Sequence, residues 1–384
     1  MSLSSELTQN PSDDSIFSSL TSSEHEQIVF CSDNRTDLKA IIAIHNTVLG
    51  PSLGGVRMWP YASETEAVHD VLRLSKGMTY KASVAGLQLG GGKAVIIGDP
   101  KKIKNEALLR TFGRYVESLA GRYITAQDVG VHVHDMEWIR QETKYVTGLP
   151  RRLGGSGDPS PMTAYGVLMG IKAAINKHTG SDSLENKTIA IQGAGKVSSH
   201  LVKFLYEEQA RVIVSDLDQD KADSLAKTYG AECIEPDRIV SAEADVFCPC
   251  ALGGILNSIT IPLIKAPIIA GAANNQLKDE QEHGSMLVDR DIIYVPDFVI
   301  NAGGLINVAS ELEGYDESHA RGQITKIYDI IHHILDLASD KQLPTWAAAN
   351  EIAEDRLQNT RHIHAMYTPS SHFSGRLGEL YSRK

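Results

Sequence analysis

The chain has 384 residues, 42% hydrophobic and 22% charged, with 37 basic against 48 acidic side chains for a net charge of −11. That length accommodates two or three domains, and the composition is that of a globular protein. No apolar run approaches the ~20 residues needed to cross a bilayer, and without a basic stripe the acidic balance excludes a general nucleic-acid binder, which needs clustered Lys and Arg.

Residues 1 to about 24 are rich in Ser, Thr, Asp and Asn and lack the basic start and apolar stretch of a secretory signal. They read as a mobile tail, and Glu6, Asp13 and Asp14 weigh against an organelle transit peptide. Strand-like runs at 27–31 and 38–45 lead through Gly50-Pro51 and Gly54-Gly55 to a helix. Ser63 with Glu66 three residues on predicts a capping box, after which Ala67, Val71, Leu74 and Met78 form a stripe at helical spacing. Lys81 continues that stripe and so points toward the core or a cleft, where a merely solubilising lysine would not be put. The alternative is that the helix has ended and the side chain snorkels to water. Gly90, Gly91 and Gly92 precede Lys93, and residues 94–97 read as a buried strand. The glycines would let the backbone approach a ligand, placing Lys93 at the mouth of a strand beside open space, although a Gly-rich turn taken alone also fits a plain loop. Burying two like charges together is costly, so a lysine pair in so charge-poor a stretch suggests a catalytic site.

A helix-like segment at 105–119 precedes a strand at 123–126 that ends on Gln127-Asp128. His132 and His134 read as loop neighbours pointing opposite ways. The run GGSGDP at 154–159 is the candidate linker, and Ser160-Pro161 predicts a helix start with Ser as N-cap and Pro at the first helical position. A second unit follows, with a strand at 187–192, the Gly-rich turn Gly193-Ala194-Gly195-Lys196-Val197-Ser198, a helix at 199–208, and the strand Arg211–Ser215 ending at Asp216. This is the dinucleotide fingerprint with Ser in the third small position, and strand, turn, helix and acid all stand where it requires them. The glycines let a pyrophosphate approach the helix N-terminus, whose free amides and dipole favour an anion. Asp216 would accept from the adenosine ribose 2′-hydroxyl and repel a 2′-phosphate, which favours NAD over NADP. The alternative is a nucleotide-free α/β unit with a tight turn.

Further strand-like runs end in small or amide residues: 245–248 before Ala251-Leu252-Gly253, 267–270 before Gly271-Ala272-Ala273-Asn274, and 294–300 before Asn301-Ala302-Gly303-Gly304. In open α/β sheets the ligand lies beyond the strands' carboxyl ends, so these loops should line the nicotinamide end. Of four cysteines, Cys31, Cys233, Cys248 and Cys250, only the last two are close, in a Cys-Pro-Cys without a second pair at zinc spacing. They read as reduced residues of a reducing compartment, and no metal is expected. The expected architecture is α/β with two domains flanking a cleft: residues 25–150 plus 342–384, and a doubly wound Rossmann-type NAD-binding unit at 151–341.

Taken in order from about residue 25 to 360, GPSLGGVRMW, MTYK, GGGK, TAQDVG, GDPSPMTAYG, GAGKVS, CALGG, GAANNQL and VINAGGLINVA resemble the leucine, valine and phenylalanine dehydrogenases, relatives of glutamate dehydrogenase, with leucine dehydrogenase the best match. The resemblance implies NAD-dependent, reversible oxidative deamination of an L-amino acid to a 2-oxo acid and ammonia, by a cytoplasmic homo-oligomer. It also implies residue roles: Lys81 holds the substrate α-carboxylate, Lys93 is the catalytic lysine, and Asp128 exchanges protons with substrate and water. Asn301 would lie near that carboxylate and the nicotinamide, and Thr163 near the carboxamide. Gly54, Gly55 and glycines 90 to 92 would wall the pocket, with Met78 also at the substrate. Gly193, Gly195, Lys196, Val197, Asp216, Ala251, Leu252, Ala272 and Asn274 would bind the cofactor. A lysine acts as base near neutrality only if its ammonium is destabilised, and burial plus Lys81 would both do this to Lys93.

Where the resembling glutamate dehydrogenases carry a lysine and a serine for the side-chain carboxylate, this chain has Leu53 and Val308. An acidic side chain would be left unpaired there, so with Leu305 on the same helix face the pocket suits leucine, valine or isoleucine. Phenylalanine or tryptophan is the alternative, since apolar side chains differ by only about 1–3 kcal/mol per methylene. Gln127 stands where leucine dehydrogenases often have Glu, and the N-terminal extension has no counterpart in the family. A catalytically silent NAD-binding regulator and a nucleotide-free scaffold are the rivals from other classes.

Overall fold

The computed structural model describes residues 23–363 together with Ile16, Leu20, Thr21, Met366 and Tyr367. Most of the expected tail over residues 1–24 lies outside the described residues, though Leu20 packs beside Ile41 and Val68. Residues 364, 365 and 368–384 of the expected C-terminal return lie outside them as well.

The first sheet contains β1 (Gln27–Asp33), β2 (Leu38–Asn46), β3 (Ser52–Trp59), β4 (Gly90–Ile97) and β5 (Tyr123–Gln127) in the order β1-β2-β4-β3-β5. β2 runs antiparallel to β1 and β4, whereas β3 pairs parallel with β4 and β5. The LKAIIAIHN run of β2 is apolar nearly throughout because both faces are covered. On one face Ile41 and Ala43 pack under Ala67, Val68 and Val71 of α1 (Glu64–Val84). On the other, Ile42 and Ile44 meet Leu108 and Phe112 of α2 (Glu106–Ser118) and Met136 and Ile139 of α3 (Val133–Arg140).

Three sequence expectations change here. Ser63 Oγ accepts from Glu66 N at 3.1 Å, but the Glu66 carboxylate returns to Ala62 N at 2.7 Å, so the reciprocal arm of the capping box reaches one residue further out. Gly54 and Gly55 lie inside β3, and Gly90 to Gly92 lie inside β4 rather than in a turn before it. Residues without side chains give no alternation to read, and tertiary packing is what requires them: a Cβ on Gly91 would stand 2.1 Å from Thr79 N, so α1 lies directly against the strand.

The second unit opens with α4 (Ser160–Thr179), whose N-cap is Pro159; just before it Asp158 Oδ1 accepts from Ser160 N at 2.9 Å and Ser160 Oγ at 2.6 Å. The N-cap thus falls one residue earlier than expected, and Pro161 takes the second helical position. Its sheet holds β6 (Thr188–Gln192), β7 (Arg211–Ser215), β8 (Glu232–Cys233), β9 (Val246–Pro249), β10 (Ile268–Ile269) and β11 (Ile293–Tyr294), in the order β11-β10-β9-β6-β7-β8. All pairs are parallel. The first strand of the unit is central and successive strands add outward on both sides, the doubly wound arrangement. Alternation divides the faces: Ile189 and Ile191 pack with Leu201 and Leu205 of α5 (Lys196–Glu207), while Ala190 packs with Phe247 and Ile269 on the other side. The crossovers include α6 (Gln219–Tyr229) and α7 (Glu280–Asp289).

The strand expected at 294–300 is only the two residues of β11. Pro296 has no N–H to give a ladder, and Asp297–Ile300 forms a helical turn, α8. Helices α9 (Gly303–Ala309), α10 (Glu317–Thr325), α11 (Ile327–Lys341) and α12 (Thr345–Arg361) complete the described fold. α12 is fastened to the end of α1: Arg356 donates to Ser83 O at 2.7 Å and Leu87 O at 2.8 Å, and Ser83 Oγ donates to Ala353 O at 2.9 Å. The guanidinium thereby ties the last turn of α1 and the segment after it to α12.

Candidate active site

A cleft of about 770 Å³ separates the two sheets. Leu53, Gly55 and Arg57 alternate along β3 to face it, Met78 and Lys81 reach it from the last turns of α1, and Lys93 enters from the middle of β4. Thr163, Asn274, Leu305 and Val308 face it from the other side.

Lys93, 6% exposed, places Nζ 2.7 Å from Asp128 Oδ2. Arg57 Nε stands 3.2 Å from the same oxygen and extends Nη1 to Asp70 Oδ2 at 2.9 Å. Asp70 is held in turn by the Tyr61 hydroxyl at 2.6 Å and Arg73 at 2.9 Å. Burial alone would raise the Asp128 carboxyl, but the Lys93 ammonium and Arg57 guanidinium outweigh it and bring the group down to about 2. Removing Arg57 while leaving Lys93 should therefore make Asp128 easier to protonate. In Arg57→Met we expect the acid limb of the kcat/KM profile to move up by about one pH unit, with Asp128→Asn as the reference lacking that limb. An unshifted limb would show that Arg57 does not act on the carboxylate.

Lys81 Nζ donates to Asn301 Oδ1 at 2.6 Å, and Asn301 Nδ2 donates to Ala272 O at 3.0 Å and Asn274 Oδ1 at 2.8 Å. One hydrogen-bonded chain thus runs from the first half's lysine to the loop after β10. Burial draws the Lys81 ammonium from its usual 10.5 down to about 8, opposed by Asp297 and aided by Lys93. The structure thus adds a depressed lysine at Lys81 and pairs Lys93 with the Asp128 carboxylate.

Leu53, Leu305 and Val308 gather with Ile124, Ala309 and Met78 in one apolar wall. Gly55 faces the cleft, but Gly54 turns away, since a Cβ there would stand 1.7 Å from Gly92 O, and glycines 90 to 92 are buried within the sheet. Gln127 lies on the cleft beside Asp128. Thr163 Oγ1 donates to Pro159 O at 3.1 Å.

The remaining cofactor candidates line the carboxyl edge of the second sheet. Gly193 has φ +101°, and a Cβ there would be 3.0 Å from Ala251 Cβ. Gly195 stands before α5 with open space around it, Lys196 and Val197 begin that helix, and no side chain caps its first amides. Lys196 Nζ lies 3.4 Å from Asp158 Oδ2. Asp216 follows β7; it accepts from Ala194 N at 2.6 Å and Asp218 N at 2.8 Å, which fixes the carboxylate beside the Gly-rich loop with lone pairs left for a hydroxyl. Leu252, 80% exposed, projects from the loop after β9. Uncapped amides, an open glycine turn and a fixed acid together fit a dinucleotide. Among the described residues no group of three or more His, Cys, Asp or Glu side chains is arranged to hold a metal.

Sequence reasoning missed Arg57, Asp70 and Asp297. For Arg57 a signal existed, because with Gly54 and Gly55 assigned to a strand the period of two from Leu53 through Gly55 reaches Arg57. Asp70 and Asp297 carry no local mark.

The profile described as Glu/Leu/Phe/Val dehydrogenase, dimerisation domain, matches residues 25–145, and that of glutamate/leucine/phenylalanine/valine dehydrogenase matches 154–219 and 214–364. A leucine dehydrogenase of Geobacillus stearothermophilus is 51% identical over 357 residues, covering 93% of this chain and 97% of that one. An L-tryptophan dehydrogenase of Nostoc punctiforme is 49% identical over 346 residues, covering 90% and 97%. A crystal structure of L-tryptophan dehydrogenase from Nostoc punctiforme superimposes with a TM-score of 0.80 at 47% identity, covering 90% of this chain and 100% of that one.

Proposed function

The chain belongs to the glutamate/leucine/phenylalanine/valine dehydrogenase family, and from that premise we propose that it oxidatively deaminates a branched-chain L-amino acid, reversibly, with NAD. The observation that carries this reading is the convergence of Lys81, Lys93 and Asp128 on one cleft, with Lys81 tied through Asn301 to the dinucleotide loops. Bound NAD supplies the hydride acceptor.

The chain's own groups bind and move protons. The Lys81 ammonium holds the substrate α-carboxylate, which fixes the α-carbon toward the nicotinamide side. Hydride leaves that carbon readily only when the amine is neutral, so the Lys93–Asp128 pair takes up the amine's proton. Lys93, neutral once its own proton has passed to solvent, receives one from the water that adds to the imino carbon, and Asp128 returns the amine's proton to the nitrogen that departs as ammonia. Leu53, Leu305 and Val308 exclude a charged side chain, because no partner in that wall would replace its water.

Asp216 supports NAD over NADP, since a fixed carboxylate repels a 2′-phosphate. The match of the first half to a dimerisation domain supports a homo-oligomer, and the unpaired cysteines fit a cytoplasmic setting. The similarity to L-tryptophan dehydrogenase favours aromatic amino acids as the second reading.

Mixing the protein with NAD and each of leucine, valine, isoleucine, phenylalanine, tryptophan and glutamate should give NADH absorbance with the branched-chain substrates and almost none with glutamate. Asp216→Ala should narrow the preference for NAD over NADP. No NADH from any apolar or aromatic amino acid would end the proposal, and turnover of tryptophan ahead of leucine would select the second reading.

A further inference from the structure

The Cys-Pro-Cys at 248–250 takes no part in the chemistry above, yet it sits where the dinucleotide loops join. Cys248 is the last buried sulfur of β9, Cys250 is partly exposed just beyond it, and their Sγ atoms are 3.5 Å apart with no bond between them. Cys250 N donates to Gln192 O at 2.8 Å, the residue before Gly193, while Pro249 O accepts from Ala273 N at 2.9 Å between Ala272 and Asn274. Gly271 packs against the same carbonyl, a Cβ there standing 2.2 Å from Pro249 O. Three consecutive residues therefore hold both the glycine turn and the loop that carries Ala272 and Asn274.

We propose that Cys248 and Cys250 form a peroxide-sensitive dithiol whose oxidation to a disulfide weakens dinucleotide binding, an inference that rests on the NAD reading of this site. A disulfide needs its sulfurs about 2.0 Å apart, so these two must close by well over an ångström. The ring of Pro249 fixes its φ and cannot absorb the change. The backbone on either side must move instead, and that backbone makes the hydrogen bonds to Gln192 and Ala273. Displacing them shifts Gly193 against Ala251, where the approach is already close, and shifts Ala272 and Asn274 under Asn301.

Cys250, the less buried of the two residues, reacts first. The neighbouring Cys248 thiol, donating to it, holds Cys250 below the ordinary thiol range, while Cys248 is raised by that same contact and by burial. Cys250 thiolate attacks one oxygen of a hydroperoxide; the O–O bond breaks, leaving a sulfenic acid and releasing hydroxide, or alkoxide from an alkyl peroxide. The Cys248 sulfur then attacks Cys250 sulfur, the S–S bond forms, the S–O bond breaks, and the hydroxyl leaves as water with the Cys248 proton. With hydrogen peroxide the balance is two thiols and one peroxide to one disulfide and two waters.

The test treats the full-length enzyme with hydrogen peroxide, maps its cysteines by peptide mass, and titrates NADH by fluorescence before and after. We expect a Cys248–Cys250 disulfide, NADH affinity lowered about tenfold or more, and recovery with dithiothreitol. Cys250→Ala and Cys248→Ala should bind NADH as the untreated protein does and be insensitive to peroxide. Cys250→Ala keeps the buried thiol, so the comparison survives if Cys248→Ala folds poorly. Cys31→Ser and Cys233→Ser should respond like the parent. Oxidation that stops at a sulfinic acid on Cys250, a disulfide with unchanged NADH affinity, or equal loss of affinity in Cys250→Ala would each overturn the inference and leave the NAD reading standing. Failure of the untreated enzyme to bind NADH would remove both.

Discussion

Lys93→Ala is expected to lower kcat by about 10²–10⁴-fold while NADH affinity stays unchanged. The lysine enters the cleft from β4 in the first half, and the groups placed to bind dinucleotide all lie on the second, so truncation should not reach them. Folding should survive, because Asp128 keeps the Arg57 guanidinium at 3.2 Å and is not stranded as an unpaired buried charge. On the proposed mechanism the group lost is the proton carrier beside the reacting carbon, whose contribution appears in turnover rather than in ground-state binding. Steady-state kinetics with leucine together with NADH titration check this. A kcat within tenfold of the parent would remove Lys93 from the chemistry, and parallel loss of NADH binding would show that its role is structural.

Lys81→Met is expected to weaken binding of the 2-oxo acid of leucine by about 2–5 kcal/mol, the cost of removing one partner of a desolvated charge pair, and to abolish a pH dependence that the parent shows. In the folded enzyme Lys81 lies near 8 instead of 10.5. Below pH 8 the ammonium is present and the oxo acid's Kd is flat. Above it the anion must bind an enzyme that has lost the proton, so Kd rises tenfold per pH unit. The linked stability change has a definite sign. Between pH 8 and 10.5 the unfolded chain carries a proton that the folded chain lacks, so the depressed lysine costs most stability below pH 8 and the cost fades as pH rises through that window. Inhibition by the oxo acid across pH 6 to 10, in parent and variant, is the measurement. A parent Kd that stays flat through pH 9, or a variant that retains the break, would contradict the assignment of the carboxylate to Lys81.

Much of this site is legible one segment at a time. The helical stripe from Ala67 to Met78 predicts that Lys81 leaves α1 toward the cleft, and it does. The glycine turn at 193–195 stands between a strand and a helix as its spacing requires. Legibility fails where side chains are absent or two structures share a pattern. Gly54, Gly55 and Gly90 to Gly92 are strand residues that read as loop, and their misplacement hid Arg57. The apolar run ending at Ile300 fits helix and strand alike until Pro296 is seen to break the ladder.

The amino-acid sequence by itself determined the doubly wound unit, the acid at the end of its second strand, the two lysines and the apolar residues at 53 and 308. These follow from short-range rules: spacing fixes the face from which a side chain leaves, and residue type fixes what it can do there. Tertiary structure alone decided which charges meet. Lys81 finds Asn301 across 220 positions, and Arg57 joins Asp128 to Asp70 from three separate elements. Coulomb energy depends on distance in space, and burial on every element packed around a group. That burial depresses the Lys81 ammonium, and that a carboxylate holds Lys93, was therefore settled only when β3, β4, β5, α1 and α9 closed around one cleft.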